Sequence, residues 1–95
     1  MLIIGIDPGK QGGIGYICTI SNHYGAFAMP QTGQQLFKLL DELRCTYGTI
    51  TAVIEEPQCM GNKLSGKTLL SFGKHYGEIV GILTSLSAQI NEDLS

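Results

Sequence analysis

Two carboxylates in this chain stand where they could share a cation. Asp7 ends the apolar run Leu2-Ile3-Ile4-Gly5-Ile6, and Glu55 ends a second one, Thr51-Ala52-Val53-Ile54. The last residue of a buried strand stands at the rim of its sheet, where open α/β folds keep their sites. Parallel neighbouring strands lie about 4.8 Å apart, so acids at both ends would point into one small volume. Carboxylates that close repel unless a cation or a proton is shared. With oxygen ligands and no cluster of His or Cys, the cation expected is Mg²⁺ or Mn²⁺.

The elements that must hold these acids can be read along the chain. Leu2 to Ile6 is apolar at every position, the pattern of a strand buried on both faces of a helix-covered sheet. Pro8 and Gly9 turn the chain directly after Asp7, and Lys10 to Gly13 is a glycine-rich reversal. Ile14 to Ile20 reads as a second strand and Tyr24 to Met29 as a third, separated by the turn Ser21-Asn22-His23, which makes a meander. Pro30 breaks it. Thr32 and Gln35 then form a capping-box signature ahead of Leu36, Leu39, Leu40 and Leu43, one face of an amphipathic helix. A right-handed crossover through that helix would set the strand ending at Glu55 parallel to the first. A polar loop from Glu56 to Ser65 leads into a long helix from Gly66 to Ser87.

That helix has three distinct sides at 100° per residue. Phe72, Tyr76, Ile79, Leu83 and Leu86 share the packing side, whereas Lys63, Lys67 and Lys74 line up opposite if the helix reaches back that far. The lysines are either the wet side of a helix or, with Lys10, contacts to DNA phosphates. Gly73, Gly77 and Gly81 form a lane free of side chains. Each costs about 1 kcal/mol against alanine in a helix interior, so a close neighbour must compensate. Two candidates stand: the chain's own sheet, or the same helix in a second copy.

Composition bounds the class. The 95 residues suffice for one domain, and only 15% are charged against 43% hydrophobic, so much of the chain expects burial or a partner. A formal charge of -2 supplies no bulk attraction to nucleic acid, which leaves a local patch as the means of binding it. Cys18, Cys45 and Cys59 are odd in number and lack CxxC spacing, which fits a reducing cytosol rather than a disulfide framework. Cys18 and Cys45 read as core thiols, and Cys59 as the exposed one. His23 and His75 lie without ligand spacing and read as structural. No stretch reaches membrane-spanning length.

Taken together, Ile4-Gly5-Ile6-Asp7-Pro8-Gly9, Gly13-Ile14-Gly15-Tyr16, Val53-Ile54-Glu55 and Lys74-His75-Tyr76-Gly77 resemble the RuvC-like Holliday-junction resolvases, those of phage and prophage above all. The resemblance spans nearly the whole chain. It implies an α/β fold with a ribonuclease H-like core: a three-stranded antiparallel meander, a parallel strand and two helices. It also implies that Asp7 and Glu55 are catalytic, metal-binding acids and that the substrate is branched, four-way DNA. In that chemistry Mg²⁺ activates water for in-line attack on a phosphodiester.

Departures from the pattern shape the expectation. Family members run to roughly 150 residues or more, with a further strand and a C-terminal helix carrying more acids. Residues 1–95 are therefore expected to form a single domain incomplete at its C-terminus, with Glu92 and Asp93 in a solvated tail. Glu56 reads as an accessory or solvated acid, and Gln58 stands where the family often has an aromatic wedge. Weak metal binding and little cleavage by this chain alone are expected. Gly61 to Thr68 also matches the P-loop pattern G-x-x-x-x-G-K-T, but residues 56–60 separate it from the preceding strand and no later strand offers an Mg²⁺-holding Asp. Two other readings therefore stay open: a non-catalytic module for DNA binding or dimerisation, favouring a homodimer through the long helix, and, less favoured, a nucleotide binder.

Overall fold

The computed structural model describes residues 1–9, 11–55 and 66–93, with the side chains of 66–72 and 91–93 left aside. In chain order the elements are β1 (Leu2–Asp7), β2 (Gly13–Cys18), β3 (Tyr24–Ala28), α1 (Gly33–Tyr47), β4 (Ile50–Glu55), α2 (Gly66–Ser85) and β5 (Gln89–Asp93). They form one five-stranded sheet in the order β3-β2-β1-β4-β5. β1, β2 and β3 pair antiparallel, the expected meander, while β4 runs parallel to β1 and β5 parallel to β4.

One expectation is corrected at the C-terminus. Residues 89–93 are not a solvated tail but a fifth strand, in which Glu92 pairs with Ile54 and Asp93 with Glu55. The turn that launches β5 is built by Ser87, whose φ of 58° lies in the left-handed region. The Ala88 N–H donates to the Leu83 carbonyl at 3.1 Å and the Ser87 N–H to the Thr84 carbonyl at 3.0 Å. This pair of hydrogen bonds closes a helix in the manner usually reserved for glycine.

A second correction concerns β1, which is covered on one face only. Leu2, Ile4 and Ile6 are buried, while Ile3 is half-buried and Gly5 and Asp7 are exposed; β4 repeats the alternation with Ile50, Ala52 and Ile54 buried. A single core cluster joins these residues and Ile14 to Leu36, Leu40 and Leu43 of the first helix and Ile79, Leu83 and Leu86 at the end of the second. Both helices therefore pack on the same face. Among the described residues no helix covers the opposite face, to which β1 presents Ile3, Gly5 and Asp7.

α1 begins as its capping signature predicts. The Thr32 hydroxyl accepts from the Gln35 N–H at 3.1 Å, and the Gln35 side chain accepts from the Gln31 N–H at 3.2 Å. It ends at Gly48, whose φ of 103° suits glycine and whose N–H donates to the Arg44 carbonyl at 2.8 Å. α1 has no acid in its own first turn. Glu78 of α2 supplies one: a Cβ on Gly33 would lie 2.8 Å from its carboxylate, at the positive end of the α1 dipole. Cys45 is exposed rather than in the core, since it falls two residues past Leu43 and so on the far side of the helix.

Lys10, Glu56, Gln58, Cys59, Lys63 and the greater part of the P-loop match lie outside the described residues. Lys67 belongs to α2 by its backbone alone. Among the described residues, no helix is long and apolar enough to cross a membrane.

Candidate functional site

The register of β1 and β4 brings the two acids together. Ile6 pairs with Ile54 in parallel, and both are buried on the helix side. One residue further each strand turns its side chain to the other face, so Asp7 and Glu55 leave the sheet on the same side and at the same end. Both are exposed, and both line an open concavity of about 470 Å³.

The floor of that concavity is glycine. Gly5, Gly13 and Gly15 line it alongside Val53 and Ala26. A Cβ on Gly5 would meet nothing within 4 Å, so the fold itself does not require the missing side chain there. Among the described residues, none that lines the concavity carries a positive charge. Two carboxylates facing one space without a counter-charge favour a cation between them.

Local structure holds Asp7 in place. Pro8, which is buried and lacks an N–H, starts the turn. The Gly9 N–H donates to Asp7 Oδ1 at 3.1 Å, an Asx turn that fixes one carboxylate oxygen and leaves the other free for a ligand. The oxygen chemistry and the number of acids fit Mg²⁺ or Mn²⁺, which bind through one or two carboxylates and complete their shell with water and phosphate oxygens. Among the described residues no group of three or more His, Cys, Asp or Glu forms a complete cage.

Other residues singled out in the sequence are placed elsewhere. Lys74 is exposed on α2 and is not among the residues lining the concavity. Gly73, Gly77 and Gly81 are exposed, and a Cβ on any of them would meet nothing within 4 Å. Of the two candidate neighbours for that lane, the chain's own sheet is thus ruled out among the described residues. His23 packs on Tyr47, its Nδ1 3.5 Å from the phenol oxygen, and His75 is half-buried on α2. Cys18 is buried, and hydrogen bonds from the Ser21 side chain and backbone pull its thiol pKa below the ordinary value.

Two relationships at the site escape sequence reasoning. Asp93 takes the register position beside Glu55 on β5, which only the Ser87 turn makes possible. Gly12 packs directly on the backbone of Asp7, a contact between residues on either side of a loop that no periodicity reports.

These strands and helices, in this order and pairing, make an α/β fold of the ribonuclease H-like type. Among solved structures, RuvC of Thermus thermophilus in complex with a Holliday junction substrate is similar, with a TM-score of 0.66 at 14% identity over 98% of this chain. A structure of Thermus thermophilus RuvC alone gives a TM-score of 0.62 at 15% identity, also over 98% of this chain. The chain spans 64% and 63% of the lengths of those two chains. No protein-family model and no curated protein sequence matches.

Proposed function

We propose that this chain is the core of a RuvC-like endodeoxyribonuclease that binds branched DNA and holds Mg²⁺ or Mn²⁺ between Asp7 and Glu55. The observation that carries the reading is the parallel β1–β4 register, with both acids lining one concavity that has no counter-charge among its described residues. Its support from comparison is the fold shared with RuvC, which has been seen with a Holliday junction. When bound, such an ion polarises a phosphodiester and lowers the pKa of an attacking water. Asp7 and Glu55 would supply its protein oxygens, with Asp7 oriented by the Gly9 N–H. The glycine floor would let a sugar-phosphate strand approach the sheet closely.

Lys10, Lys63, Lys67 and Lys74 are the proposed phosphate contacts, which makes affinity fall steeply with salt. A homodimer through Gly73, Gly77 and Gly81 is the proposed assembly, supported by the open space over that lane. The cytosol is the proposed compartment. With two acids lining the concavity among the described residues, cleavage by this chain is expected to be slow, and a non-catalytic DNA-binding module is the second reading.

The test uses a labelled four-way junction and the purified chain. Mn²⁺ binding, junction binding and Mg²⁺-dependent nicking are measured for wild type and for Asp7→Asn. The reading expects metal binding that vanishes in the variant while DNA binding persists. DNA binding without any metal binding in the wild type would favour the non-catalytic module. Light scattering on wild type and Gly77→Leu tests the dimer, which should dissociate in the variant.

A further inference from the structure

Gly12 has a side chain of hydrogen alone, yet it lies against the backbone that carries Asp7. Asp7 and Gly13 are antiparallel partners, so Gly12 lies against the strand end that carries Asp7. A Cβ on Gly12 would collide with the Asp7 carbonyl oxygen, lie 2.8 Å from the Asp7 carbonyl carbon and 2.9 Å from the Gly9 carbonyl oxygen. All three are backbone atoms, so no rotamer change can relieve the collision. Gly12 cannot easily retreat either: its N–H donates to the Gly9 carbonyl at 2.9 Å, and its carbonyl accepts from the Met29 N–H at 3.2 Å at the end of β3. Its φ is not positive, so space rather than backbone conformation demands glycine.

Gly9 makes the contrast. A Cβ there would stand 3.4 Å from Asp7 Oδ1, at the edge of ordinary contact with a side-chain atom that can give. The same loop therefore tolerates a methyl group beside the carboxylate but not beneath the peptide that aims it.

We propose that Gly12 is a positioning residue: it sets the Asp7 peptide, and through it the direction of the Asp7 carboxylate into the concavity shared with Glu55. A side chain at this position displaces the Asp7 peptide from the β2 side, shifts the Asp7 carboxylate from its place beside Glu55 and strains the Gly9 hydrogen bond. The metal consequence rests on the proposed role of Asp7, whereas the displacement itself does not.

The experiment compares wild type, Gly12→Ala, Asp7→Glu and the Gly12→Ala/Asp7→Glu double variant. In metal-free protein, the Gly9 amide is followed by its proton shift and its hydrogen exchange. In Gly12→Ala it should shift upfield and exchange faster while the amides of β4 stay put. Mn²⁺ affinity in that variant should fall by about tenfold or more, as for other groups that orient a ligand. The effect of Asp7→Glu on binding should differ between the wild-type and Gly12→Ala backgrounds, because both substitutions act on the position of one carboxylate. A purely structural role would make the two substitutions additive. An unchanged Gly9 amide, or losses that simply add, overturns the proposal. A displaced Gly9 amide in a protein whose wild type binds no Mn²⁺ upholds the positioning and overturns the metal reading. Should Gly12→Ala fail to fold, Met29→Pro removes the N–H that pins the Gly12 carbonyl without adding bulk beneath Asp7. It should perturb the same Gly9 amide, and an unperturbed amide overturns the proposal.

Discussion

Ile6 of β1 and Ile54 of β4 are parallel partners buried against the helices, and they place the next residue of each strand on the open side of the sheet. Asp7 and Glu55 thus line one concavity without contributing to the core. Asp7→Asn and Glu55→Gln should each leave stability within about 0.5 kcal/mol of wild type, as for surface substitutions. Added Mn²⁺ should raise the Tm of wild type and of neither variant, since only a ligand that binds the native state stabilises it. Thermal unfolding with and without the ion checks both.

The two faces of the sheet should differ sharply in their tolerance. Leu40 is fully buried and belongs to the core cluster, so Leu40→Ala should cost about 2–5 kcal/mol through lost burial and a cavity. Val53, at 37% exposure on the open face, should lose less than about 1 kcal/mol as Val53→Ala. Denaturant titration of both variants measures the difference; equal losses would contradict one-sided packing.

Ser87 holds a left-handed conformation that costs a residue with a Cβ about 1–2 kcal/mol. Ser87→Gly should therefore stabilise the chain by roughly 1 kcal/mol, and Ser87→Val should destabilise it, with loss of exchange protection concentrated in β5. Hydrogen exchange of the residue 89–93 amides reads the effect.

The phenol of Tyr47 lies beside Tyr16 with ring centroids 5.7 Å apart. Partial burial first, and a hydrogen bond with Tyr16 second, push its pKa above the ordinary value. Above about pH 10 the unfolded chain releases a proton that the folded chain retains. The stability this group contributes is complete below that pH and is lost as pH rises through the folded-state value. Tyr47→Phe should flatten the alkaline limb of a Tm against pH curve measured from pH 8 to 11.

The parts of the fold legible in the sequence are those set by local pattern. The apolar runs ending in Asp7 and Glu55 and the Thr32 cap all point to the correct element in nearly the correct place. β5 is hidden for two reasons: Gln89-Ile90-Asn91-Glu92-Asp93 reads as polar, and its turn uses Ser87 where glycine is the usual signal. One-sided burial of β1 is hidden because a run apolar throughout looks the same whether one face or both are covered. Placing Cys45 on the outer side takes a finer helical phase than the leucine spacing alone supplies. The contact of Gly12 with the Asp7 peptide depends on how the loop closes, which spacing along the chain does not encode.

Along β1, alternate residues answer to different demands: Leu2, Ile4 and Ile6 to shape, Gly5 and Asp7 to whatever occupies the open side. Such interleaving lets selection act on one set while the other is held constant. A lineage built on this sheet could change the residue at position 7 by a single codon, persist as a well-folded scaffold, and change it back without rebuilding its interior.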